Sequence, residues 1–137
     1  MQTSGIRNAI VGSLIWLIVG VVAGFVVVAR LGDYGSIAHL LIGSGIGLAG
    51  AISHAALSAS AAFRRGVTIW RAFLNWLLGY SIFLAVFFFL IGSPQLNNPR
   101  FWPEAFEFFV VHTGGPMLIL SLVVALITRE RRSGGVT

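Results

Sequence analysis

Four long apolar runs, at residues 8–29, 36–63, 67–91 and 104–128, constrain this chain more than any other feature. A helix that crosses a bilayer needs about 20 mostly apolar residues, and each run supplies them. The bilayer core has no water to satisfy backbone groups, so such runs fold as helices. Transmembrane strands would be about half as long and would alternate apolar with polar residues, and none of the runs does. Composition agrees. Hydrophobic residues make up 57% of the chain and charged residues 9%, against about a quarter charged in an ordinary soluble domain. So few charges cannot coat a soluble surface, and disorder needs the opposite composition. The chain has no cysteine, which excludes disulfides, thiolate metal sites and a cysteine nucleophile. All nine basic residues are arginine and the net charge is +5, too sparse and scattered a pattern for a nucleic-acid surface.

The expected fold is therefore all-α: one domain over residues 1–137, a bundle of four transmembrane helices running up, down, up and down. The connections at residues 30–35 and 64–66 are short, as hairpin bundles require. The link over residues 92–103 is longer and marked by prolines and asparagines. The first run exceeds the about 7–15 residues of a signal-peptide core and reads as a retained span. Arginines near the membrane ends set the orientation. The N-terminus, the 64–66 connection with its flank, and the C-terminus carry seven, while the other two connections carry two. Both termini are thus expected in the cytoplasm, with the chain in a plasma membrane of the bacterial inner-membrane type.

The second run is rich in small residues. His39, Gly43, Gly47, Gly50, His54 and Ser58 fall within an arc of about 100° at helical spacing. Small residues let another backbone come close, so this run is expected to be the buried axis, with Gly43 and Gly47 packing on Gly20 and Gly24 of the first run. Residues 45–50 also match a dinucleotide-binding glycine pattern. That motif needs a strand before it and a loop opening a helix, and neither is present here.

Two places carry polar chemistry. About a hinge at residues 64–66, His54 is expected level with Asn75 and Ser58 level with Arg71, forming a polar ladder near the cytoplasmic side. Such groups bind helices together, and Arg71 can extend toward the headgroups. Intramembrane ionisable residues also mark substrate or proton paths. The second place is the fourth run, where His112, Gly114, Gly115 and Pro116 predict a kink. Proline lacks an N–H, which leaves the carbonyl four residues back without its donor, and paired glycines weaken the helix further. Broken helices build ion and substrate sites in transporters and also occur in ordinary bundles. His39 and His112 lie at comparable depth on the outer side and could ligate one haem iron. No deep carboxylate accompanies them, and no metal site or catalytic set is expected. Aromatic residues crowd the third run from Trp70 to Phe89 and are assigned mainly to lipid, with Trp70 and Trp102 at the interfaces.

The leading expectation is a non-catalytic subunit or assembly factor, with the lipid bilayer and other membrane subunits, or a second copy, as partners. A homo-oligomeric channel or transporter is the alternative, with a polar path along His39, His54, Arg71, Asn75 and His112. A single-haem electron carrier is the third.

Overall fold

The computed structural model describes residues 2–31, 36–91 and 99–129, and every element among them is helical. The first long helix comprises α1 (Gln2–Ile15), a π-helical turn (Trp16–Gly20) and α2 (Val21–Leu31). Gly12, Trp16, Gly20 and Gly24 are all buried. Residues four apart drift around an ordinary α-helix, and the wider turn closed by i→i+5 bonds keeps these on one face.

The second long helix, α3, spans Ser36–Ser58, five residues short of the expected end. The chain turns at residues 59 and 60, and the Ser60 hydroxyl accepts a hydrogen bond from the Phe63 backbone at 3.5 Å, capping a short helix α4 (Ala61–Arg64). Serine favours such a cap over a helix interior because its hydroxyl satisfies an orphan N–H. Arg64 then turns back and donates to the carbonyls of Ser58 at 2.7 Å and Ala59 at 3.2 Å. Those are end-of-helix acceptors that α3 itself cannot satisfy. Helix α5 (Thr68–Ile91) follows. The last long helix comprises α6 (Phe101–Glu107), a π-helical segment (Phe108–Gly114) and α7 (Gly115–Ile127).

Helix α3 is sandwiched between the first long helix and α5. On one side a Cβ at Gly20 would lie 2.6 Å from the Gly47 Cα, and a Cβ at Gly50 would run into the Trp16 indole. On the other, a Cβ at Gly79 of α5 would lie 2.9 Å from the Ser53 hydroxyl. Glycine at these points removes the side chain that would hold the backbones apart. Helix α7 packs mainly on α5. Trp16, Ile46, Ala49, Phe83, Met117, Leu120 and Val124 fill the space between the helices. Three stretches, Gly5–Val26, Thr68–Phe89 and Phe109–Ile127, are long and apolar enough to cross a membrane. Their outward faces carry large apolar side chains such as Ile18, Phe89 and Ile119. The protein is an all-helical chain of membrane type.

Candidate functional site

The polar residues of the sequence gather at one end of the bundle, where α3 ends, α5 begins and α7 ends. His54, Ser58, Arg71 and Asn75 are all buried. His54 Nε2 lies 3.4 Å from the Ser58 hydroxyl, one turn along the same helix. The His54 ring fills the space a side chain at Gly12 would occupy and engages the Asn8 backbone. It meets Phe63 edge-on at 6.4 Å between centroids.

Arg71 reaches the C-terminal end of α7. Its Nη2 donates to the Thr128 hydroxyl at 3.0 Å and approaches the Thr128 carbonyl at 3.4 Å, while Nη1 approaches the Ala125 carbonyl at 3.4 Å. The guanidinium carbon also sits 5.3 Å from the Phe63 ring centroid. A cation at these carbonyls opposes the negative end of the α7 dipole. Asn8 donates from Nδ2 to the same Thr128 carbonyl at 3.4 Å. Arg64 does for α3 what Arg71 does for α7, so two arginines close two helix C-termini at one end.

Asn75 pairs one residue away from the expected register. Its Oδ1 accepts from the Ser53 hydroxyl at 2.7 Å, placing Ser53 rather than His54 opposite it. The hinge is also longer than the expected 64–66 turn, since α3 ends at Ser58 and α4 precedes α5.

The break in the fourth run takes a definite form. The backbone widens into π-helix from Phe108 to Gly114, and the Gly115 N–H bonds the Val110 carbonyl five residues back. Pro116 follows as the second residue of α7, which continues the π segment without a break. Side chains from α5 reach the irregular segment. Trp76 Nε1 donates to the Gly114 carbonyl at 2.9 Å, and the Tyr80 hydroxyl donates to the Phe109 carbonyl at 2.5 Å, with the Thr113 hydroxyl 3.3 Å away. Trp76 and Tyr80 therefore do more than face lipid. His112 lies in the π segment and is half-buried. His39 and Gly43 lie on α3 but outside the residues whose side chains are described, so the haem pairing with His112 falls outside them too. Among the described residues no three His, Cys, Asp or Glu side chains cluster as a metal site would require.

Sequence reasoning missed Asn8, Ser53, Thr113 and Thr128 as members of these networks. Single hydroxyls and amides inside apolar runs are too common to signal a partner. No known protein family, characterised protein or solved structure matches the chain.

Proposed function

We propose that this protein is a non-catalytic subunit or assembly factor of a membrane complex, built as four transmembrane helices with both termini in the cytoplasm of a bacterial-type plasma membrane. Support for the fourth crossing comes from packing. Helix α3 touches the first long helix where Gly50 meets Trp16 and α5 where Ser53 meets Gly79, with Trp16 and Gly79 near the middle of the stretches Gly5–Val26 and Thr68–Phe89. A helix held at mid-depth on both neighbours lies in the bilayer with them. At 1.5 Å per residue the 23 residues of α3 reach about 34 Å, enough for an about 30 Å hydrocarbon core. In this reading the last span bends where the π segment meets Pro116.

The observation that carries the functional reading is how the buried polar side chains are used. Arg71 and Arg64 hold helix ends, Ser53 holds Asn75, and Trp76 and Tyr80 hold the π segment. These bonds join helix to helix. The glycine face of α3 offered as a polar path is covered at Gly47 and Gly50 by Val21 and Trp16. Such a chain suits a scaffold role, with its wide apolar outer face meeting lipid and neighbouring subunits.

Native mass spectrometry of the protein, extracted from its own host in a mild detergent, tests this. A discrete assembly with other polypeptides in fixed ratio is expected. A homo-oligomer alone, passing ions or solute after reconstitution and losing that flux in His54→Ala at unchanged folded yield, would overturn it in favour of a channel or transporter. A retained haem, seen as added mass and a Soret band, would overturn it in favour of an electron carrier.

A further inference from the structure

Among the described residues, every long helix contributes to a set of deeply buried polar atoms with no hydrogen-bond partner in the protein: Trp16 Nε1, His54 Nδ1, Asn75 Nδ2 and Ser121 Oγ. The four residues are at most 2% exposed. Helical register puts them in one layer. Arg71 of α5 meets Ala125 of α7, and these helices run antiparallel, as the Tyr80–Phe109 bond further along confirms. One turn along each helix from that contact come Asn75 and Ser121, which brings the two to similar depth on neighbouring helices. Asn75 is bonded to Ser53, the residue before His54 on α3. The His54 ring rests on Gly12, and Trp16, one turn beyond Gly12, covers Gly50, one turn before His54. The layer is one to two turns thick and touches all four long helices.

A polar atom buried without a partner costs about 1–3 kcal/mol, and native proteins rarely leave several together unless something bridges them. The chemistry of the four atoms narrows what that is. The Trp16 indole only donates, and the Asn75 amide nitrogen only donates, its oxygen being held by Ser53. The Ser121 hydroxyl does both. The Nε2 edge of His54 faces Ser58 and the backbone of the first helix. In a neutral imidazole one nitrogen donates and the other accepts, so with Nε2 donating there, Nδ1 offers a lone pair. A metal cation would meet two donors, and an anion would meet a lone pair. Water donates and accepts, and matches the mixture.

We infer that this layer is an internal water site, where bound water bridges His54 Nδ1, Asn75 Nδ2, Ser121 Oγ and Trp16 Nε1. The inference holds whether or not partner subunits bind the bundle. It makes His54, enclosed as it is, a group in contact with exchangeable protons.

Solid-state NMR on the full-length, 15N-labelled protein in lipid bilayers tests this by water-to-protein magnetisation transfer. The Trp16 indole and the Asn75 side-chain amide are expected to receive signal from water at short mixing times, while the backbone amides of Ile46 and Val124 stay silent. Ser121→Ala, which removes one hydroxyl and leaves the fold, is expected to lower the transfer to Trp16 about twofold, since a bound water keeps about three anchors and loses one. Asn75→Leu should abolish it, and Ser121→Ala keeps the test decisive where that variant does not fold. Trp16 and Asn75 as silent as Ile46 and Val124 would overturn the inference. So would a Trp16 indole resonance that shifts saturably with chloride but not with gluconate, which would make the layer an anion site.

Discussion

At the scale of single residues, stability rests on where a side chain is forbidden and where a charge is directed. Gly50 is a position of the first kind. An added methyl would enter the Trp16 indole, and both residues lie in the middle of fixed helices. Gly50→Ala is expected to cost about 1–3 kcal/mol, the range for overpacking a close-packed interior. Gly45→Ala is expected to cost less, because its Cβ would stand 3.3 Å from the edge of one Phe83 ring. Reversible unfolding in mixed detergent micelles measures both, and equal losses would mean that the Trp16 contact is not special. Arg71 is a position of the second kind. Arg71→Gln removes the cation from the buried end of α7, and the loss is expected near 2–3 kcal/mol, as for buried hydrogen bonds to a charged group. Arg64→Gln acts on the half-buried end of α3 and is expected to cost under about 1 kcal/mol, since solvent screens it. The approach of Gly20 to Gly47 has a signal in the sequence, because small residues at helical spacing let backbones come close, whereas the covers of Gly50 by Trp16 and of Gly79 by Ser53 have none. The acceptors of Arg71 were not legible, because a long flexible side chain has many within reach and only the packing of α7 brings Thr128 to it.

At the scale of elements, the fourth long helix shows how a local flaw is accommodated by a neighbour. Gly114, Gly115 and Pro116 announce a disturbance. They do not say whether the backbone kinks, parts or widens, because that depends on donors from another helix. Here Trp76 and Tyr80 of α5 supply them, and the segment widens. Tyr80→Phe keeps the ring and removes one of the two hydroxyl donors to the Phe109 carbonyl, the other being Thr113 at 3.2 Å. Interhelical bonds in membrane proteins average about 0.6 and reach about 1.7 kcal/mol, and both Tyr80→Phe and Trp76→Phe are expected within that span. A double-mutant cycle of Tyr80→Phe with Thr113→Val should show coupling, while Tyr80→Phe with Ser13→Ala should be additive, since the Ser13 hydroxyl donates to the Ala51 carbonyl at 3.4 Å between α1 and α3. Additivity in both cycles would mean that the hydroxyl carries no interhelical bond. The same logic explains the register error at the other end of α5. The expected lengths of the apolar runs came close to the observed helices, since hydrophobicity sets them. On α3 the residue that bonds Asn75 is Ser53, next to the expected His54, and one residue is enough to change which polar groups meet.

At the scale of the whole molecule, the open quantity is the number of crossings, and it decides the sidedness of every loop. The chain has no cysteine, so introduced single cysteines report sidedness without background. With four crossings and both termini inside, the connections after α2 and after α5 lie outside, while the 64–66 connection and the C-terminus lie inside. A membrane-impermeant maleimide added to intact cells is then expected to label Asp33→Cys and Gln95→Cys, and to reach Arg65→Cys and Thr137→Cys only after permeabilisation. If α3 did not cross, Asp33 and Arg65 would share one side, and the C-terminus would lie opposite the N-terminus. Packing argues against that outcome. The contacts of Gly47 with Gly20 and of Ser53 with Gly79 would have to break for α3 to leave the bilayer, exposing glycine-lined backbone to lipid on two helices. Labelling of Arg65→Cys together with Asp33→Cys in intact cells would refute the four-span bundle, and with it the placement of Arg64 and Arg71 at a cytoplasmic end.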